Sequence, residues 1–242
     1  MKADEFDSII FDCDGVLIDV TKSYDVTINN ADDTGIAYIE DFLNKIDVDI
    51  ADIKSRLGYP SADKNDLIHA TFDQLFFGPE LYSQIFQKKS NFSEKGFIEN
   101  DNVIVNSELI EVLKKKFSDK IAIVTGRGFN AISSSLKEIL NQFNVENSVF
   151  LEDESRDLAK PNPQSLIRAM KGLDSKNCLY VGDSMEDIIL TEKASELGFQ
   201  ATFCGIYGSS KLPEMKKNMF AKKNASLVLE SINSLPKALN LV

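Results

Sequence analysis

The chain has no tryptophan, one histidine and only three cysteines in 242 residues. A single histidine, His69, excludes a multi-histidine zinc site, and a Ser-His-Asp triad would have to use that one residue. Cys13, Cys178 and Cys204 lack metal-ligand spacing, and an odd number argues against a disulfide framework. Basic charge is scarce too: 27 Lys and Arg face 38 Asp and Glu, giving a formal net charge of -11. There is no basic stripe of the kind nucleic-acid binders carry. The lysine clusters at 114–116 and 216–217 read as solvated helix faces. No apolar run approaches the roughly 18 residues that a membrane span needs. Residues Met1–Phe6 are too short and acidic to read as a signal peptide. These absences point to a cytoplasmic protein that binds neither nucleic acid nor membrane. An acidic surface also repels phosphorylated molecules at long range. A site for one would need local positive charge, from a metal or from placed Lys and Arg.

What is present is an ordinary globular composition, 43% hydrophobic and 27% charged. Short apolar runs recur at Ile9–Phe11, Ile121–Val124, Val149–Leu151, Cys178–Val181 and Ala201–Cys204. Such runs, ended by turn signals, predict strands buried on both faces. Helical patterns lie between the later ones. Phe129, Ile132, Leu136, Ile139 and Phe143 form one face, and Leu166, Ile167, Met170 and Leu173 another. Met185, Ile188, Ile189 and Leu197 form a third. Asn162 is a good N-cap, with Pro163 at the first helical position. Strand-helix alternation predicts an α/β fold: a Rossmann-like parallel sheet of about five strands with helices on both faces. Residues 20–93 break this rhythm. They are helical in pattern, with loop signals at Gly58-Tyr59-Pro60 and Gly78-Pro79. The expected organisation is a core of residues 1–19 and 94–242 with a helical domain, 20–93, inserted into it.

In open α/β sheets ligands bind beyond the carboxyl ends of the strands. The polar residues at those ends are Asp12 and Asp14, then Thr125-Gly126-Arg127, then Asp183-Ser184, with Asp187 one turn later. Lys160 precedes Pro161 just after the third strand. Carboxylates attract a hard cation such as Mg²⁺, which Asp12 and Asp183 suit. A carboxylate can also attack phosphorus. Lys160 offers balancing charge, and the Thr125 hydroxyl offers a hydrogen bond to a phosphoryl oxygen. Each residue alone has a plainer reading: turn residues for Asp12 and Asp14, a helix cap for Thr125, a loop lysine for Lys160. Ser184 reads as an N-cap with Asp187 in the first turn. Cys13, between the two aspartates, reads as a buried thiol facing away from them.

Taken together the motifs resemble the haloacid dehalogenase superfamily in its phosphatase branch. The matching pieces are Ile10-Phe11-Asp12-Cys13-Asp14-Gly15-Val16-Leu17-Ile18-Asp19, Ile123-Val124-Thr125-Gly126, Lys160-Pro161-Asn162-Pro163 and Val181-Gly182-Asp183-Ser184-Met185-Glu186-Asp187, in the family order. The resemblance implies roles. Asp12 would be nucleophile and Mg²⁺ ligand. Asp14 would be general acid and base, its backbone carbonyl also on Mg²⁺. Thr125 and Lys160 would bind the phosphoryl group. Asp183 would be a metal ligand, and Asp187 would orient metal-bound water. Residues 20–93 would be the family's helical cap, which closes over the site and carries substrate contacts. An acid at position 14 suits an alkoxide leaving group and favours phosphoryl transfer over dehalogenation. Many relatives carry Asn after the motif II Thr or Ser; here Gly126-Arg127 follows. Gly126 leaves backbone N–H groups open to phosphate, and Arg127 is placed to reach a substrate anion. Arg56, in the insertion, is a further candidate contact.

The expected function is therefore hydrolysis of a small phosphate monoester through an aspartyl-phosphate, with Mg²⁺ as cofactor, by a monomer or homodimer. A phosphomutase using the same intermediate is the alternative within enzymes. A non-catalytic metal- or phosphate-binding protein is the alternative of another class.

Overall fold

The computed structural model describes residues 2–24, 64–93 and 95–242. The chain divides into two compact units, one of Met1–Thr21 with Asn102–Val242, the other of Lys22–Asp101.

The larger unit is built on six strands: β1 (Ser8–Phe11), β4 (Ile121–Thr125), β5 (Val149–Phe150), β6 (Asn177–Gly182), β7 (Gln200–Ile206) and β8 (Leu227–Leu229). They lie in the order β5-β4-β1-β6-β7-β8, every neighbouring pair parallel. Five match the apolar runs in the sequence; β8, short and half-buried, is additional. A separate antiparallel pair, β2 (Ile18–Asp19) with β3 (Asn102–Val103), follows the first motif.

Alternation along β1 explains the two cores. Ile9 and Phe11 point to one face with Leu179, Val181, Ile121 and Ile123, and Ile10 points to the other with Tyr180, Ala122 and Val124. On the first face pack Leu109, Ile110, Leu113 and Phe117 of α2 (Ser107–Phe117), and Ile132 and Leu136 of α3 (Phe129–Leu136). On the second pack Leu166, Ile167 and Met170 of α4 (Gln164–Gly172), Ile188 and Leu190 of α5 (Met185–Glu196), and Phe220 of α6 (Pro213–Lys222). Each such fully buried side chain contributes roughly 1.5–3 kcal/mol. A final helix, α7 (Leu235–Ala238), buries Leu235.

Two helix boundaries refine the sequence reading. The face from Phe129 to Phe143 is not one helix: Lys137 takes φ 51°, α3 stops at Leu136, and 3₁₀ turns run over Lys137–Gln142. The start of α4 lies one residue later than expected, at Gln164 with Pro163 in the cap position, and the Asn162 Oδ1 accepts from the Gln164 N–H at 3.0 Å.

The smaller unit carries α1 (Lys64–Phe86), broken at Gly78, where φ is 72° and Pro79 follows. Glycine is required there because a Cβ would lie 2.4 Å from the Gly96 backbone nitrogen. Tyr24, Phe72 and Phe76 stack at centroid distances of 5.4 to 6.3 Å. Arg56 and the Gly58-Tyr59-Pro60 signal lie outside the described residues, as does the side chain of His69.

Candidate active site

The strand order reverses at β1: β4 and β5 lie on one side, β6, β7 and β8 on the other. Ligands of open α/β sheets bind at such a switch point. Phe11 is level with Ile123 of β4 and Val181 of β6. That register brings Asp12 beside the ends of β4 and β6, where Thr125 and Asp183 stand.

Asp12 is buried, with its N–H donating to the Val181 carbonyl at 2.8 Å. Its carboxylate accepts from the Cys13 N–H at 2.7 Å and pairs with Lys160 Nζ at 2.9 Å. The same Nζ lies 2.9 Å from Asp187 Oδ1. Asp187 is fully buried and saturated: its Oδ2 accepts from the N–H groups of Asp183 and Ser184 at 3.1 and 3.0 Å and from the Ser184 hydroxyl at 2.8 Å. Ser184 returns the contact as N-cap of α5. The Tyr180 hydroxyl donates to Asp187 at 3.0 Å.

Asp12, Asp183 and Asp187 each place a carboxylate oxygen within 4.8 Å of the others. Hard oxygen donors at this spacing fit a divalent cation such as Mg²⁺. The backbone leaves room for the Asp183 carboxylate: Gly15 has φ +73°, and a Cβ there would fall 2.2 Å from Asp183 Oδ2. Gly15→Ala should therefore destabilise the fold by at least about 1 kcal/mol, from the left-handed conformation alone. It should also weaken cation binding by displacing Asp183; melting curves with and without Mg²⁺ check both effects.

Among protein groups, burial pushes Asp12 up to about 8, with Lys160 pulling against it and Asp187 and Asp183 adding to the rise. Burial also raises Asp183, against the pull of Lys216. Asp187 moves the other way. Burial penalises its charge, but Lys160 and the Ser184 hydrogen bonds outweigh that and hold it below the usual carboxylate range. Burial opposes the charge on Lys160, yet Asp12 and Asp187 raise it well above its ordinary value, so it stays an ammonium ion.

Asp14 faces the end of β4. Its Oδ1 lies 2.7 Å from Arg127 Nε. Arg127 is buried, and its Nη1 donates to Ser135 at 3.2 Å. Thr125 is buried at the same strand end, its hydroxyl 3.4 Å from the Arg127 N–H. A Cβ on Gly126 would meet nothing within 4 Å, so that backbone is open. Thr125 does not cap α3. Instead Glu152 and Asp153 accept from the Gly128 and Phe129 N–H groups at 3.0 and 2.6 Å. Cys13 is buried within the core and forms no disulfide.

Sequence reasoning missed two contributors. Tyr180 was only part of an apolar run, although a buried tyrosine needs a partner for its hydroxyl. Lys216 was read as solvated; its Nζ in fact lies 2.5 Å from Asp183 Oδ2, with the side chain 20% exposed. Lys116, in the other cluster, pairs with Asp4 at 2.8 Å.

A family model described as haloacid dehalogenase-like hydrolase matches residues 6–194. The chain belongs to the haloacid dehalogenase-like hydrolase family. No curated protein sequence gives a significant match. Solved structures share the fold at low identity. A candidate phosphoglycolate phosphatase from Lactobacillus plantarum is 15% identical, with a TM-score of 0.58 and full coverage of both chains. Phosphatase Tt82 from Thermococcus thioreducens is 21% identical at a TM-score of 0.56, covering 88% of this chain and 98% of its own. A candidate beta-phosphoglucomutase from Thermotoga maritima is 16% identical at 0.57, covering 98% and 99%. No helix among the described residues of this hydrolase is long and apolar enough to cross a membrane.

Proposed function

We propose that this hydrolase is a Mg²⁺-dependent phosphatase of small phosphate monoesters, working through an aspartyl-phosphate on Asp12. The observation that carries the reading is the Asp12 carboxylate itself. It is fixed between the Cys13 N–H and Lys160, and carboxylate oxygens of Asp183 and Asp187 stand within 4.8 Å of its own. Asp12, Asp183 and the Asp14 carbonyl would hold the cation, with Asp187 beside them. When bound, the cation supplies positive charge that keeps Asp12 ionised and neutralises the phosphoryl oxygens.

An Asp12 oxygen attacks phosphorus, and the ester P–O bond breaks. Asp14 delivers a proton to the leaving alkoxide. The deprotonated Asp14 then takes a proton from water, whose oxygen attacks the phosphorus of the aspartyl-phosphate. Free phosphate leaves and the Asp12 carboxylate is restored. Lys160 and Thr125 bind the phosphoryl oxygens, and the open backbone at Gly126 leaves N–H groups available to them.

The test is a panel of phosphate esters assayed with Mg²⁺ and with EDTA. Hydrolysis should require the cation and recover when it is restored. Release of phosphate supports the phosphatase, whereas a phosphorylated product isomer would mark a mutase. No turnover of any ester would end the catalytic reading. In single-turnover assays, which read leaving-group release before the aspartyl-phosphate is hydrolysed, Asp14→Asn should slow alkyl phosphates by roughly 10²–10⁴-fold while sparing aryl phosphates, whose leaving groups need no proton. Equal losses on both would remove Asp14 from the acid role.

A further inference from the structure

We infer that Lys216 is a resident counter-ion of the carboxylate cluster, which a divalent cation must displace from Asp183 in order to bind. The inference rests on the metal site just proposed and concerns entry of the cation, not the reaction. Among the described residues two lysines face the cluster, and they differ. Lys160 is buried and contacts both Asp12 and Asp187. Lys216 contacts Asp183 alone, at 2.5 Å, and both side chains of that pair are about one-fifth exposed, at 20% and 19%. One lysine is built in; the other has a path to solvent along its own flexible stem.

The backbone behind Lys216 is fixed. The loop from β7 into α6 is tied to the segment after the nucleophile. The Ser209 hydroxyl donates to the Gly15 carbonyl at 2.5 Å, and the Thr21 hydroxyl donates to the Ser209 carbonyl at 2.9 Å. The loop is also tied to β8 and the residue after it, with the Tyr207 and Gly208 N–H groups donating to Leu229 and Glu230 at 3.1 and 2.9 Å. Farther along α6, Phe220 is fully buried against Phe203 at a centroid distance of 5.5 Å. The helix thus delivers Lys216 to the same Asp183 oxygen that the missing side chain of Gly15 accommodates.

Charge balance gives the contact its consequence. With Asp12 ionised, as a bound cation would keep it, three carboxylates against two lysines leave one net negative charge. A dication added with both lysines in place would leave one net positive charge in a largely buried site. Release of Lys216 to solvent brings the site to neutrality, the state with the smallest desolvation penalty. Cation binding and the Lys216–Asp183 pair are then competing states, and Lys216 raises the cation concentration at which the site fills.

The test is titration calorimetry of Mg²⁺ into the wild type, Lys216→Met and Lys216→Arg at pH 8. Lys216→Met should bind at least fivefold tighter, and Lys216→Arg should stay within about twofold of the wild type. Lys216→Gln replaces the Met variant if the latter does not fold. Equal or weaker binding after removal of the charge would overturn the inference and leave the metal site standing. Absence of binding in the wild type and every variant would overturn the metal site, and the inference with it.

Discussion

Asp12→Asn should keep the fold and lose at least roughly a thousandfold in turnover, about 4 kcal/mol of transition-state stabilisation. An amide is nearly isosteric with the carboxylate, so the Cys13 contact and the strand register should survive. What disappears is the proposed nucleophile. The loss should be similar for alkyl and aryl phosphates, because both need the same nucleophile. A variant within tenfold of wild type would remove Asp12 from the nucleophile role. The same substitution has a second, opposite readout. Burial lifts Asp12 to about 8, while in the unfolded chain it titrates near about 3.9. Between these values the folded protein holds a proton that the unfolded chain does not. In EDTA the wild type should therefore lose stability as pH rises from about 4 to 8. Asp12→Asn removes that component, so at pH 8 in EDTA it should melt higher than the wild type. A lower melting temperature would mean that the Lys160 pair outweighs burial.

Much of this site was legible because its residues lie at strand ends. A buried parallel strand needs an apolar run, and the run stops where the backbone meets the crevice. Asp12, Thr125 and Asp183 each follow such a stop, so locating the strands located them. Long-range delivery was not legible. Lys216 comes from a helix after β7, and two adjacent lysines look alike in one dimension. Only the anchoring of the Tyr207–Leu212 loop decides that one reaches Asp183 while the other, Lys217, lies over the Tyr207 ring at 5.4 Å. Arg127 shows the same limit. Its position beside Gly126 suggested a substrate anion; its contacts with Ser135 on α3 and with Asp14 could not be read from that position. The edge strand β8 was illegible for a further reason. Its three residues pair on one side only and are half-buried, so no long apolar run is required of them.

Lys160→Met should destabilise the protein by about 3–5 kcal/mol, the cost of leaving buried carboxylates without their shared cation. That is a large share of the roughly 5–15 kcal/mol typical of a whole domain. The partners make the reason specific. Lys160 bonds Asp12 and Asp187 at 2.9 Å each, and its Nζ lies over the Tyr180 ring, 5.6 Å from the centroid. Methionine keeps the packing and removes only the charge. If electrostatics causes the loss, Asp187→Asn in the same chain should recover part of it, because one of the two stranded carboxylates is gone. The side-chain amide that this second substitution introduces can turn its oxygen toward the three donors that now hold Oδ2, leaving its NH₂ group to face Tyr180 and Asp12. Urea unfolding of the wild type, both single variants and the double variant in EDTA measures the coupling, expected at about 1–3 kcal/mol. Strict additivity would show that Lys160 contributes packing rather than charge. Activity should not return with stability. The double variant regains a folded core but still lacks the ammonium group proposed to face the phosphoryl oxygens. A stable, inactive double variant would separate the two roles of Lys160, one in holding the nucleophile's neighbourhood together and one in binding the group that is transferred.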